Sequence, residues 1–184
     1  MNKHYGYHVD RANTLKLDDT ISLTDYETIL SIVKQDAMAP ALKMLYPDGL
    51  SNHGMQYALC GKMDFNSHLI EQIFELLRLK YFPNKVSRFQ SIFAFSNYED
   101  ARVFCDSELK KADESCTTPD SKFSIYKIEW SHDNFQEHDM KLLSGTTVIN
   151  SYQNALSYWE GTISQNSVIE ILVKPPIKIV DLMK

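Results

Sequence analysis

Cysteine is scarce: Cys60, Cys105 and Cys116 are the only three in 184 residues, widely spaced and without a C-x-x-C pair. Disulfide frameworks and zinc sites both need paired, regularly spaced cysteines, so reduced thiols of a cytoplasmic protein are expected instead. Glycine and proline number six each, which excludes long flexible linkers and collagen-like stretches. No apolar run approaches the roughly eighteen residues needed to cross a bilayer, and Met1 to Asp10 lacks the apolar core of a secretory signal. No membrane partner is therefore expected. The phosphate-cradling patterns G-x-x-x-x-G-K-[ST] and G-x-G-x-x-G are absent, as are H-E-x-x-H and G-x-S-x-G. P-loop enzymes, kinases, zincins and the common serine hydrolases drop out together. Positive charge is short as well: 19 Lys and Arg against 24 Asp and Glu leave a net charge of −5. A generic polyanion binder carries the opposite sign, because neutralising phosphates supplies most non-specific affinity.

What is present is ample material for one core. Hydrophobic residues make up 43% and charged residues 23%, as in ordinary globular domains, so residues 1–184 are read as a single domain. Tyr5 to Arg11 is aromatic and β-branched and reads as a strand. Thr24, with Glu27 three residues on, has the form of a capping box opening a helix whose apolar face is Ile29, Leu30, Ile32 and Val33. From Asp36 to Asp64, Pro40, Pro47, Gly49, Gly54 and Gly61 suggest loops and turns. Leu69, Ile70, Ile73, Phe74, Leu77 and Tyr81 recur at helical spacing over about Ser67 to Phe82, where Pro83 ends the pattern. Phe89 to Phe95 reads as a strand, and Asn97 caps a helix with Glu99 and Asp100 in its first turn and Lys110 and Lys111 in its last. Asp113 to Ser121 is polar and turn-like. Lys122 to Ser131 is apolar on both faces, as a central strand would be. Asn134 to Leu143 and Ser151 to Tyr158 are weaker helical candidates. Val168 to Val173 and Ile177 to Leu182 read as a hairpin or as neighbouring strands. The order of elements predicts an α+β fold.

Three segments could carry chemistry: Y-H-V-D-R at positions 7–11, S-R-F-Q-S-I-F-A-F at 87–95 and V-I-E-I-L-V at 168–173. In their order and spacing they resemble the ADP-ribosyltransferase superfamily. The likeness is greatest to the branch with a histidine on the first strand and a late glutamate, which includes poly-ADP-ribose polymerases, RNA 2′-phosphotransferases and DarT-like toxins. The resemblance implies two small packed β-sheets flanked by helices, NAD as co-substrate and no metal. It puts the NAD-ribose histidine on His8 and the catalytic glutamate on Glu170. The strand-then-helix unit walling nicotinamide falls on Ser91, Phe93 and Phe104, with Phe93 where the family carries a tyrosine. Arg11 would pair with the diphosphate, although on a strand it points away from His8 and must reach round from the strand end. Val168 stands where the arginine-modifying branch has a second acid, which argues against arginine as acceptor. The implied activity is mono-ADP-ribosylation of a macromolecular acceptor, nucleic acid ahead of protein. A toxin or phage-defence effector, with an antitoxin as possible partner, is the biology that small stand-alone relatives imply.

Plainer readings stand beside these. A lone His8 is more often structural. Glu170, between Ile169 and Ile171, either faces solvent at a sheet edge or is buried and must be paired, since an unpaired buried carboxylate costs several kcal/mol. Glu160, in Y-W-E-G, is the alternative acid, expected in a loop or strand start near a pocket. Phe93 and Phe104 suit a core equally well. Arg78, Lys80, Lys85 and Arg88 form the one dense basic cluster, either a contact for NAD diphosphate or nucleic acid, or a solvated helix end. His132, His138 and Asp139 read as surface, and His4 with His8 lacks an acid to complete a metal site. A non-catalytic domain that binds NAD or a partner, and an RNA 2′-phosphotransferase, remain alternatives on the same fold.

Overall fold

The computed structural model describes residues 2–34, 36–59, 65–114 and 123–183. Cys60, Cys116, Gly61 and most of the Asp113 to Ser121 segment lie outside them. Cys105 is a buried free thiol.

Two antiparallel sheets form the centre. One has the order β1-β4-β7-β2, from β1 (His4–Asp10), β4 (Ser124–Trp130), β7 (Ile177–Met183) and β2 (Thr20–Ile21). The other has the order β3-β6-β5, from β3 (Ile92–Ala94), β6 (Ile169–Val173) and β5 (Phe135–Asp139). The two are tied at one point, where Tyr7 and Phe95 exchange both backbone hydrogen bonds at 2.9 Å. Ile92, Ala94, Ile171 and Val173 from the smaller sheet pack against Ile128, Trp130, Ile177 and Ile179 from the larger, and this shared core holds the sheets face to face. The apolar character of β4 on both faces follows from what covers them: Tyr126, Ile128 and Trp130 enter the core between the sheets, while Ile125 packs with Val9 and with Ala101 and Cys105 of the helix that follows β3.

Helices cover the outer faces. Within the described residues these are α1 (Tyr26–Val33), α2 (Ala39–Leu45), α3 (Asn52–Leu59), α4 (Phe65–Tyr81), α5 (Tyr98–Glu114) and α6 (Val148–Glu160). On the far side of the smaller sheet, α4 and α6 bury Phe74, Leu77, Ala155, Tyr158 and Trp159 against Leu172. The indole N–H of Trp159 donates to the Phe74 carbonyl at 2.8 Å, so the largest buried side chain in this layer leaves no orphan donor. None of the described helices is long and apolar enough to cross a membrane.

Several expectations are corrected. The cap of α1 is Asp25, which accepts from Thr28 N at 2.9 Å, while Thr24 is engaged with Leu50 through backbone bonds. Much of the 36–64 region is helical: Pro40 sits in the first turn of α2, where its missing N–H costs nothing, and Gly54 lies inside α3. The Phe89 to Phe95 segment is a 3-10 turn (Arg88–Gln90) followed by the short β3. Asn134 to Leu143 is β5 and a 3-10 turn rather than a helix, and His138 and Asp139 are buried rather than on the surface. Neighbours in the chain, β6 and β7 are not a hairpin but belong to different sheets. Asn97 caps α5 as expected, its Oδ1 accepting from Asp100 N at 2.9 Å.

Candidate functional site

Where β1 and β3 part, the ladder between them ends after the Tyr7–Phe95 pair. The next carbonyl facing β1, that of Phe93, is taken by Nδ1 of His8 at 2.7 Å. A carbonyl only accepts, so Nδ1 carries the proton and the neutral ring turns a lone pair outward on Nε2. Burial lowers the His8 pKa, outweighing the Phe93 carbonyl and the Asp10 carboxylate, which raise it, and so keeps the ring in that neutral form. Among the described residues Nε2 makes no hydrogen bond.

Phe93 joins this histidine to a buried ionic network. The Arg88 guanidinium lies over its ring at 4.6 Å, and His53 of α3 meets the ring edge-on at 4.6 Å. Arg88 is 4% exposed and grips Glu71 of α4 as a fork, Nε to Oε2 at 2.9 Å and Nη2 to Oε1 at 2.8 Å. Its Nη1 reaches Oε1 of Glu170 at 2.5 Å and the Tyr158 hydroxyl at 2.9 Å, and that hydroxyl donates to the same Oε1 at 2.8 Å. Glu170 is therefore a paired, buried carboxylate on a strand flanked by β3 and β5, which answers the edge-strand alternative. Its Oε2 has no hydrogen-bond partner among the described residues.

The charge states follow from these contacts. Burial would raise the Glu71 carboxyl, but Arg88 and His53 (Nε2 at 3.2 Å) hold it well below the usual carboxylate range. Burial would deprotonate Arg88, and Glu170 and Glu71 more than offset it. The Tyr158 phenol is pushed up chiefly by burial, so it stays a donor.

A second buried pair lies one turn further along α4. Arg78 binds Glu75 through Nε and Nη2 and caps the helix end by donating from Nη1 to the carbonyls of Pro83 and Lys85. Glu75 also accepts from the Ser87 hydroxyl at 2.8 Å, which ties the start of the Arg88 turn to α4. Arg78 and Arg88 thus do not form an exposed basic cluster. Lys80 is exposed and Lys85 half-buried, and Lys85 and Arg78 border a polar recess of about 230 Å³ with Asn84, Asn134 and Lys174.

The other expected residues are scattered. Arg11 is exposed and bonded to Glu108 of α5 at 2.7 Å, within the turn that Asp10 holds by accepting from Ala12, Thr14 and Leu15 amides. Ser91 is buried and donates to the Ser87 carbonyl at 2.6 Å, a structural bond within the turn. Phe104 packs on Phe95 at 5.3 Å and borders a cavity of about 400 Å³ with Val103, Met140, Lys141 and Val168. Neither His8, Arg88 nor Glu170 borders that cavity, so hydrogen bonding rather than cavity size marks the site. Glu160 is the exposed last residue of α6, away from the buried side on which Tyr158 lies. No cluster of three metal-ligating side chains occurs among the described residues.

Glu71, His53 and Tyr158 were missed by sequence reasoning. The available signal was Glu71, Glu75 and Arg78 at spacings of four and three on the face of α4 that also carries Phe74, since charges at core positions demand partners.

The molecule is thus an α+β domain of two antiparallel sheets, with a histidine beside the point where they are tied and a buried arginine–glutamate network between the smaller sheet and helices α4 and α6. The sequence profile described as protein of unknown function (DUF2441) matches residues 6–184, and the chain belongs to that family. No curated protein matches it.

Proposed function

We propose that the chain is an ADP-ribosyltransferase-like enzyme that cleaves NAD and passes ADP-ribose to a macromolecular acceptor. One observation carries the reading. His8 and Glu170 lie on β1 and β6, separated only by β3 at the junction of the sheets. The histidine is neutral with Nε2 unbonded, and the glutamate has Oε2 unbonded, among the described residues.

In this reading His8 Nε2 accepts a hydrogen bond from a ribose hydroxyl of NAD. Oε2 of Glu170 orients a hydroxyl of the nicotinamide ribose and stabilises the positive charge that builds there. The glycosidic C–N bond breaks with its electron pair passing to the pyridinium, which departs as neutral nicotinamide. A lone pair of the acceptor forms the new bond to the anomeric carbon, and the acceptor's proton passes to solvent. Phe104 is the aromatic that the resemblance sets on the leaving ring; it borders a cavity that neither His8 nor Glu170 lines, so its stacking requires the ring to extend beyond those two residues. For Arg11 to hold the diphosphate it must exchange Glu108 for the ligand. Nucleic acid as acceptor, and a toxin or phage-defence role with an antitoxin partner, rest on the resemblance alone, because Arg78 and Arg88 are committed to buried carboxylates.

A second reading, a domain that binds NAD or a partner without turnover, is favoured by one contact: Arg88 already balances the charge of Glu170. Incubation with NAD labelled in its adenylate part, with DNA, RNA and protein offered separately, separates the two. Label fixed to one acceptor supports transfer. Saturable NAD binding with no label on any acceptor and no free nicotinamide supports the binding domain.

A further inference from the structure

Two side chains hold the Glu170 carboxylate, both through Oε1. Arg88, from the 3-10 turn before β3, meets Oε1 at 2.5 Å, and Tyr158 of α6 donates to the same oxygen at 2.8 Å. From β5, His138 lies directly across from Glu170 in register, its Nδ1 turned to the Tyr158 carbonyl at 2.8 Å and its ring stacked on Tyr158 at 4.3 Å. From α4, Glu71 does not touch Glu170 but locks Arg88 by the two-bond fork, and His53 of α3 closes on Glu71 from behind. A lysine could supply the cation here, yet not the arrangement. With its plane fixed by Glu71 and laid on the Phe93 ring, the guanidinium can direct Nη1 at one oxygen of Glu170 only.

We infer that Arg88, oriented by Glu71, is a positioning residue: it holds Glu170 by Oε1 so that Oε2 is the oxygen presented to the substrate. The inference rests on the transferase reading and gives Arg88, expected from the sequence as a phosphate contact or solvated helix end, a positioning role together with Glu71. Turning the carboxylate by even a fraction of its width moves the charge off the ribose, and a misplacement near 1 Å costs on the order of 100-fold in rate. Ground-state binding of NAD leans on His8 as well as on the Glu170 bond, so that rotation weakens it far less than it slows the chemical step.

The test compares the full chain with three variants: Arg88→Lys, which keeps the cation but not the fork; Arg88→Met with Glu71→Gln, which removes the fork together with both its charges; and Tyr158→Phe, which removes only the second bond to Oε1. Each is measured for NAD affinity by calorimetry, for kcat and KM of nicotinamide release, and for folding by near-ultraviolet circular dichroism. The expected result is kcat lowered about 100-fold in both Arg88 variants and about 10-fold in Tyr158→Phe, with the dissociation constant for NAD within about threefold of the parent. Tyr158→Phe loses a single hydroxyl, so it keeps the test decisive if both Arg88 variants fail to fold. Folded variants with unchanged kcat would make the network structural and overturn the inference while leaving the transferase reading intact. A parent chain that neither binds NAD nor releases nicotinamide would overturn both.

Discussion

Nδ1 of His8 donates to the carbonyl of Phe93 at 2.7 Å, and this one bond spans the gap where β1 leaves β3. It settles the tautomer of the ring and leaves Nε2 without a hydrogen bond among the described residues. His8→Phe keeps an aromatic filler but loses the acceptor. NAD affinity is expected to fall about 10-fold from one lost hydrogen bond, while the unpaired Phe93 carbonyl lowers stability in free and bound protein alike. Calorimetry of the two proteins checks this, and equal affinities would remove His8 from the site.

A sharper structural constraint lies under the Arg88 turn. A Cβ at Gly54 would come within 2.1 Å of the Phe89 carbonyl oxygen, which already accepts from Ser51 N at 2.9 Å. Gly54→Ala must push α3 and the turn apart. A loss on the order of 3 kcal/mol is expected, read from chemical denaturation. Stability within 0.5 kcal/mol of the parent, roughly the range of an ordinary surface change, would contradict this packing.

The Glu75–Arg78 pair predicts a non-additive pattern. Either Glu75→Leu or Arg78→Met alone strands a buried charge and should cost about 3–5 kcal/mol. The double variant leaves an apolar pair and should cost clearly less than either single change, apart from the helix-end carbonyls that Arg78 also satisfies. Additive losses in a double-mutant cycle would show that the two charges act independently.

His138 gives the fold a pH dependence. Burial lowers its pKa to about 4 from the ordinary 6.5, with the Tyr158 carbonyl opposing and the positive charges of Lys85 and Arg88 adding to the drop. Since the folded value is depressed, the unfolded chain takes up the proton first on acidification. The stabilising contribution is whole above pH 6.5 and is lost as pH falls toward 4, below which it changes no further. The loss is roughly 3 kcal/mol. Melting curves of the parent and His138→Gln between pH 7.5 and 4 should converge as pH falls, the parent losing more. Parallel curves would contradict the assignment.

How far the fold was legible depends on whether each element's cause is local. α4 carries its own periodicity, β4 a run of apolar residues on both faces, and the cap of α5 is a local Asn97 bond, so these could be read directly, and α6 more weakly. β5 could not: Glu137, His138 and Asp139 look like surface, and Asp139 is buried only because Ser164 and Val168 donate to it from a distant loop. Proline and glycine misled over 36–64 because Pro40 occupies a permitted helical position and Gly54 answers a tertiary contact. At the candidate site, His8 and Glu170 were singled out from the sequence by resemblance. Their partners were not, since Arg88 meets Glu71 and Glu170 from 17 and 82 residues away and its burial is a property of the assembled layers.

The central claim is that Glu170 acts on NAD while Glu160, exposed at the end of α6, does not. Nicotinamide release from NAD by the purified chain, beside Glu170→Gln and Glu160→Gln, tests it most directly. The account predicts release by the parent and by Glu160→Gln at comparable rates, and a loss of at least about 100-fold in a folded Glu170→Gln variant. Release undiminished in Glu170→Gln, or absent from the parent with nucleic acid and cell lysate supplied as acceptors, would contradict it.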